Sequence, residues 1–99
     1  MLVHTVFFWL KPGLTPAQRA DFRRGVETLG NIKSVSQFHV GVPAATERRP
    51  VIDHSFSVGV TVICQDTAAE KAYQVDPIHL EFVRTCREYW TRVQVYDFE

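Results

Sequence analysis

Alternating apolar and polar positions predict four strands along this chain. Residues 2 to 11 are rich in β-forming side chains and end at a Pro-Gly turn. Residues 34 to 43 form a second such segment, and the longest alternation runs from about Asp53 to Cys64. The closing stretch "RVQVYDF" predicts the last strand.

Apolar residues at helical spacing, each stretch preceded by a start signal, predict helices between these strands. Thr15 stands three residues before Gln18, the spacing of a capping box. Asp66 precedes a short helix that ends near Tyr73, and Asp76 starts a longer one that runs to Trp90. The order β-α-β-β-α-β predicts one α+β domain over residues 1–99, a ferredoxin-like monomer with a four-stranded antiparallel sheet.

The alternation also predicts two different faces for this sheet. The face toward the helices carries His4, Val6, Phe8, Val58, Val60, Val62, Val93 and Val95. The opposite face carries Val3, Phe7, Trp9, Ile63, Tyr96 and Phe98. A monomer would expose this second, aromatic set, so we expect a homodimer that buries the two open faces against each other.

Composition and charge exclude several classes of partner. Eleven Lys and Arg balance eleven Asp and Glu, which is not the charge of a nucleic-acid or anionic membrane binder. The apolar start lacks the features of a signal peptide and is too short for a membrane span, and the two cysteines are too few for a disulfide framework. We therefore expect a cytoplasmic protein with buried free thiols.

The stretch "YQVDPIHLEF" contains the residues most suited to chemistry. His79 titrates near neutral pH and could act as an acid or base, or it could only help to cap its helix. Tyr73 could donate a hydrogen bond, or it could be a core residue with its hydroxyl at the rim. His4 lies among apolar neighbours, where a pocket-lining role competes with that of a core histidine.

Three blocks carry a resemblance to a known family: "VHTVFFWLKPGLTPAQ", "Y..DP.H..F" and "V.VYDFE". In this order and spacing the chain resembles the stress-responsive dimeric A/B barrel (Dabb) family over essentially its whole length. The resemblance implies a ferredoxin-like monomer that pairs through its sheet into an α+β barrel. One branch, the plant polyketide cyclases, uses a histidine as acid/base, a tyrosine six residues before it and a histidine on the first strand. Those positions match His79, Tyr73 and His4.

The chain departs from the cyclases where their pocket is shaped. Val26 replaces an aromatic residue on the first helix, Arg23 replaces a phenylalanine, and Asp76 replaces a histidine before the proline. Cyclisation of a long polyketide is therefore not implied.

Two main hypotheses follow, and they belong to different classes. The first is a lyase, cyclase or isomerase that needs no cofactor and acts on a small apolar carbonyl compound. In it His79 is the acid/base, Tyr73 donates a hydrogen bond to the carbonyl oxygen, and His4 has an orienting role. Its ligand would lie against His4, Val6, Phe8, Phe22, Val26, Val60 and Val95. The second is a non-catalytic stress-response or structural protein whose core fills that space, and a monooxygenase-like barrel enzyme is a weaker alternative. The four histidines are scattered singly, so no metal site is expected.

Overall fold

The computed structural model describes all 99 residues and contains four strands and three helices. In chain order they are β1 (Leu2–Leu10), α1 (Pro16–Thr28), β2 (Val35–Gly41), β3 (Val58–Cys64), α2 (Thr67–Val75), α3 (Pro77–Cys86) and β4 (Trp90–Phe98). Short 3-10 turns at Leu29–Asn31 and Arg87–Tyr89 follow the first and last helices. The strands form one antiparallel sheet in the order β2-β3-β1-β4, which confirms the predicted ferredoxin-like β-α-β-β-α-β fold.

Each helix begins at the residue that its start signal predicts. The Thr15 hydroxyl accepts a hydrogen bond from the backbone N–H of Gln18, whose side chain accepts one from the N–H of Thr15. Asp66 and Asp76 cap α2 and α3 by accepting bonds from nearby backbone N–H groups. These bonds satisfy donors that a helix cannot pair internally, so the starts are encoded locally.

The core lies between the helices and one face of the sheet. Phe8 packs edge-on against Phe22 of α1 and Phe82 of α3, with ring centroids 5.2 and 5.9 Å apart. The helices α1 and α3 approach closely at Gly25, where a Cβ atom would lie 2.5 Å from the Cys86 sulfur. This packing covers the face that carries His4 and Phe8 and leaves the other face without helices.

Two predicted boundaries are wrong. β3 begins at Val58 rather than near Asp53, because the preceding segment turns: the Asp53 carboxylate accepts the Ser55 N–H, and Phe56 packs on Phe7 of the open face. The final helix ends at Cys86 and not at Trp90, which is the first residue of β4.

A bulge at the start of β4 orients Trp90. Trp9 pairs with Arg92 and Leu10 pairs with Trp90, so Thr91 is an extra residue in the ladder. Trp90 therefore packs on the helix side, with its ring centroid 5.1 Å from that of Phe8, while Arg92 lies over the Trp9 ring on the open face.

The open face keeps large apolar side chains in contact with solvent. Tyr96 and Phe98 are 57% and 60% exposed. None of the helices has the length and apolarity needed to cross a membrane.

Candidate functional site

A cleft of about 180 Å³ lies between the helices and the covered face of the sheet. Its walls are mostly apolar, with Phe8, Phe82 and Trp90 on one side and Val93 and Val95 of β4 at the edge. His4, Tyr73 and His79 also line the cleft and supply its titratable groups. An apolar pocket with a few convergent polar groups is the usual form of a small-molecule site.

Three elements bring the polar side chains together. Strand alternation turns His4 of β1 toward the helices, Tyr73 lies in the last turn of α2, and His79 is the third residue of α3. The extended backbone of Asp76 separates α2 from α3, and the ring centroids of Tyr73 and His79 then lie 4.9 Å apart. Because the His4 and Tyr73 centroids are 5.7 Å apart, Tyr73 contacts both imidazoles.

His4 is held by a residue that sequence reasoning missed. Its Nδ1 atom lies 2.5 Å from Oδ1 of Asp97, and the two residues are direct cross-strand partners in the β1–β4 pair. The His4 side chain is buried, whereas that of Asp97 is half exposed at the edge of the sheet. Alternation places both residues on the covered face, but only the strand register could have shown that they meet.

His79 has a buried ring atom without a partner. Its Nδ1 atom makes no hydrogen bond and has almost no exposed surface. Burial lowers the pKa of His79, and the nearby His4 adds to this effect, whereas Glu70 and Asp76 oppose it. The imidazole is therefore neutral near neutral pH, so it can accept a proton as a base or donate a hydrogen bond from its remaining N–H.

Tyr73 is held as a neutral phenol. Its side chain is only 2% exposed, and burial raises its pKa, with further contributions from Cys64 and Glu70. Its hydroxyl has no hydrogen-bond partner within the protein and is not among the fully buried unpaired atoms. The phenol can therefore donate a hydrogen bond to a bound ligand.

The structure brings most of the predicted site residues to the cleft. His4, Val6, Phe8, Val60, Val95, Tyr73 and His79 line it. Phe22 and Val26 do not line the cleft, because both are fully buried in the core. They lie behind the aromatic wall of the cleft, which consists of Phe8, Phe82 and Trp90. Phe82 and Trp90 form part of that wall although neither was among the predicted contacts, and their apolar spacing in the sequence gave them only a core role.

No group of three or more His, Cys, Asp or Glu side chains is close enough to hold a metal ion. The two cysteines are free and buried, and burial raises the pKa of both thiols. Neither thiol has the activated character of a nucleophile.

Comparison with known proteins identifies a family model and solved structures that are similar to this chain. A family model described as the stress responsive A/B barrel domain matches residues 2–99. A Dabb family protein from Mesorhizobium loti with a ferredoxin-like fold has a TM-score of 0.78 at 25% identity, covering 99% of this chain and 94% of its own. A dimeric ferredoxin-like protein of unknown function from Thermobifida fusca gives 0.78 at 15% identity, with 98% and 88% covered.

An enzyme has the same fold. The hydroxynitrile lyase from Passiflora edulis aligns with a TM-score of 0.77 at 18% identity, covering 98% of this chain and 90% of its own. A comparison with curated protein sequences finds no match. At this identity the likeness to the lyase concerns the fold alone.

Proposed function

This chain belongs to the stress responsive A/B barrel domain (Dabb) family, and from that premise we propose that residues 1–99 form one domain that binds a small apolar carbonyl compound and converts it by acid/base chemistry. The reaction class is that of a lyase, cyclase or isomerase without a cofactor. The observation that carries the proposal is the contact of Tyr73 with both His4 and His79 in a mostly apolar cleft. Gln74 also lines the cleft, and its side-chain amide donates a hydrogen bond to Glu70.

The polar groups of the cleft suit a carbonyl substrate. The Tyr73 phenol remains protonated and can donate to a carbonyl oxygen, while His79 is a neutral imidazole that can exchange a proton. The apolar walls offer few competing hydrogen-bond partners, which strengthens both interactions. The hydroxynitrile lyase from Passiflora edulis shows that a protein with this fold can be a lyase, and the reaction class of this chain is argued from its own cleft.

The size of the cleft limits the ligand. A volume of about 180 Å³ is below the 300–1,000 Å³ that is typical of pockets for drug-sized ligands. Phe22 and Val26 fill the space under the aromatic wall. We therefore propose a compound no larger than one ring with a short carbonyl substituent.

Binding of acetophenone, a small aromatic ketone, tests the proposal. Trp90 lines the cleft and the only other tryptophan, Trp9, lies on the open face, so a Trp9→Phe background gives a fluorescence signal from the cleft. We expect saturable quenching, and His79→Ala should weaken it by about tenfold, as the loss of one hydrogen bond does. His54→Ala is the matched control, since His54 bonds Thr46 in the β2–β3 loop. Quenching that does not saturate, or that is equal in both variants, would contradict the proposal.

A non-catalytic stress-response protein is the second candidate, and the small volume of the cleft favours it. It predicts a folded protein in which no carbonyl probe binds and His79→Ala changes only stability. The fluorescence titration therefore separates the two candidates.

The proposed functional unit is a homodimer that forms an α+β barrel. Its support is the apolar set on the open face, for which no helix of the same chain provides cover. Tyr96 and Phe98 of this set are exposed, and the others are partly exposed: Val3, Phe7, Trp9 and Ile63. The related fold from Thermobifida fusca is described as dimeric. Sedimentation that shows only monomer at micromolar concentration would exclude this unit.

We also propose a cytoplasmic location. The two buried free thiols support it, because reducing compartments preserve unpaired cysteines. Fractionation of the native host with antibody detection tests it.

A further inference from the structure

The hydrogen bond to Asp97 determines which nitrogen of His4 carries the proton. A carboxylate only accepts hydrogen bonds, so the 2.5 Å contact requires a proton on Nδ1 of His4. In the neutral ring the lone pair is then on Nε2. That atom has no partner in the protein and is not among the fully buried unpaired atoms, so it remains accessible from the cleft that His4 lines.

The surroundings of His79 impose the opposite tautomer. Its Nδ1 atom is buried without an acceptor, and a proton there would be an unpaired buried donor. His79 is the third residue of α3, where the positive end of the helix favours a lone pair over a proton. The proton of the neutral ring is then on Nε2, which has no partner in the protein and keeps some exposure.

The two imidazoles also differ in their charged neighbours. His4 lowers the pKa of His79. Asp97 from β4 is hydrogen-bonded to His4, while the only acidic groups that act on His79 are Glu70 and Asp76, at a distance beyond hydrogen bonding. Tyr73, between the rings, remains neutral.

We propose that His4, oriented by Asp97, is the general base of the cleft, and that His79 acts there with Tyr73 as a hydrogen-bond donor. This inference rests on the proposed function, and it moves to His4 the acid/base role that the family resemblance gives to His79. Asp97 does not line the cleft and is a positioning residue.

The corresponding step is the removal of a proton next to a carbonyl group. Nε2 of His4 forms a bond to that proton, and the electron pair of the broken C–H bond becomes the second bond of a C=C. The carbonyl π pair moves to the oxygen, which accepts hydrogen bonds from the Tyr73 O–H and the His79 Nε2–H. Return of the proton from His4 to carbon reverses the step, so protons and electrons balance.

The tautomers can be measured without any substrate. Long-range ¹H–¹⁵N NMR spectra of the ¹⁵N-labelled protein, recorded above the pH at which the rings titrate, distinguish a protonated nitrogen from a bare one. We expect the proton on Nδ1 in His4 and on Nε2 in His79. In Asp97→Ala, His4 should become a mixture of both tautomers, and the tautomer of His79 should not change. A proton on Nδ1 of His79, or on Nε2 of neutral His4, would overturn the assignment.

Deuterium exchange into the methyl group of acetophenone in D₂O tests the base itself. A glutamine amide can replace an N–H donor but cannot replace a base. We therefore expect His79→Gln to keep exchange within about tenfold of the wild type, and His4→Gln to lower it by about a hundredfold or more. The exchange rate should still rise with pH in His79→Gln, and this rise should disappear in His4→Gln. His54→Gln should leave both the exchange rate and its dependence on pH unchanged.

The proposal would be refuted if His79→Gln lowered the exchange rate more than His4→Gln does, and if the rise of the rate with pH were lost in His79→Gln. If the wild type showed no exchange, that result would count against the proposed activity. The tautomers measured by NMR would still show whether His4 has the bare Nε2 that the base requires and whether His79 has the Nε2–H of a donor. Thermal unfolding of each variant shows whether a loss arises from misfolding.

Discussion

The two faces of the sheet come from the same four strands, yet only one of them is covered by the chain's own helices. The covered face supplies Val6, Phe8, Val60 and Val62 to the core, and the first three of these also line the cleft beside His4. The open face carries side chains as apolar as these, with Tyr96 and Phe98 more than half exposed. Apolar content therefore does not distinguish the two faces, and what packs on each face decides its role.

The largest effect is expected from breaking the covered face. Phe22→Ala should lower the free energy of unfolding by about 3–5 kcal/mol, because the side chain is fully buried among Phe8, Phe82 and Trp90 and its loss leaves a cavity. Urea denaturation measures it, with Phe98→Ala on the open face as the control. If both variants lost equal stability at low, monomeric concentration, the contrast between the faces would be wrong.

Breaking the open face should change association and leave the fold intact. Tyr96→Glu puts a charge into the proposed interface, and we expect dimerisation to weaken by at least about 2 kcal/mol, or about thirtyfold in Kd. Analytical ultracentrifugation measures this change, and circular dichroism should stay as in the wild type. Val51→Glu in the β2–β3 loop, where Val51 is 79% exposed, is the matched control. A dimer that is insensitive to Tyr96→Glu must use another surface.

A smaller, pH-dependent effect should come from His79 of α3, which lines the cleft on the covered side of the sheet. Its pKa in the folded protein lies below its ordinary value because burial disfavours the imidazolium. As the pH falls below the ordinary pKa of histidine, the unfolded chain therefore binds more protons than the folded protein. The free energy of unfolding then decreases from neutral toward acidic pH. Partial solvent access keeps the slope well below the limit of about 1.4 kcal/mol per pH unit for one proton.

His79→Gln should flatten this part of the curve of stability against pH, measured by urea denaturation between neutral pH and pH 5. His54→Gln in the β2–β3 loop is the comparison. An unchanged slope in His79→Gln would mean that the folded protein does not resist protonation of His79.

The smallest change in stability is expected from Tyr73→Phe. The ring stays buried, and the hydroxyl has no partner within the protein, so the free energy of unfolding should change by less than about 1 kcal/mol. Acetophenone binding should nevertheless weaken, because the donor is lost. A stability loss above about 2 kcal/mol would reveal a structural role of the hydroxyl.

Local signals in the sequence were enough for most of the fold. The caps at Thr15, Asp66 and Asp76 act within a few residues, so composition and spacing reveal them. Period-two alternation is a property of the extended backbone, and it assigned His4 and Phe8 to one face and Phe7 and Trp9 to the other. The predicted start of β3 is wrong because alternation continues through residues 53 to 57, although the bond from the Ser55 N–H to the Asp53 carboxylate turns the chain there.

Identifying the candidate site required both the sequence and the tertiary structure. The sequence by itself determined the β-α-β-β-α-β order, the apolar face on each side of the sheet, and the presence of Tyr73 and His79 on either side of a helix break. Only the tertiary structure joined His4 to Asp97, 93 residues apart, and separated Phe22 and Val26 from the cleft they were expected to line. The physical reason is range: caps and alternation depend on neighbouring residues, whereas a cross-strand hydrogen bond and the wall of a cleft depend on register and packing between distant segments.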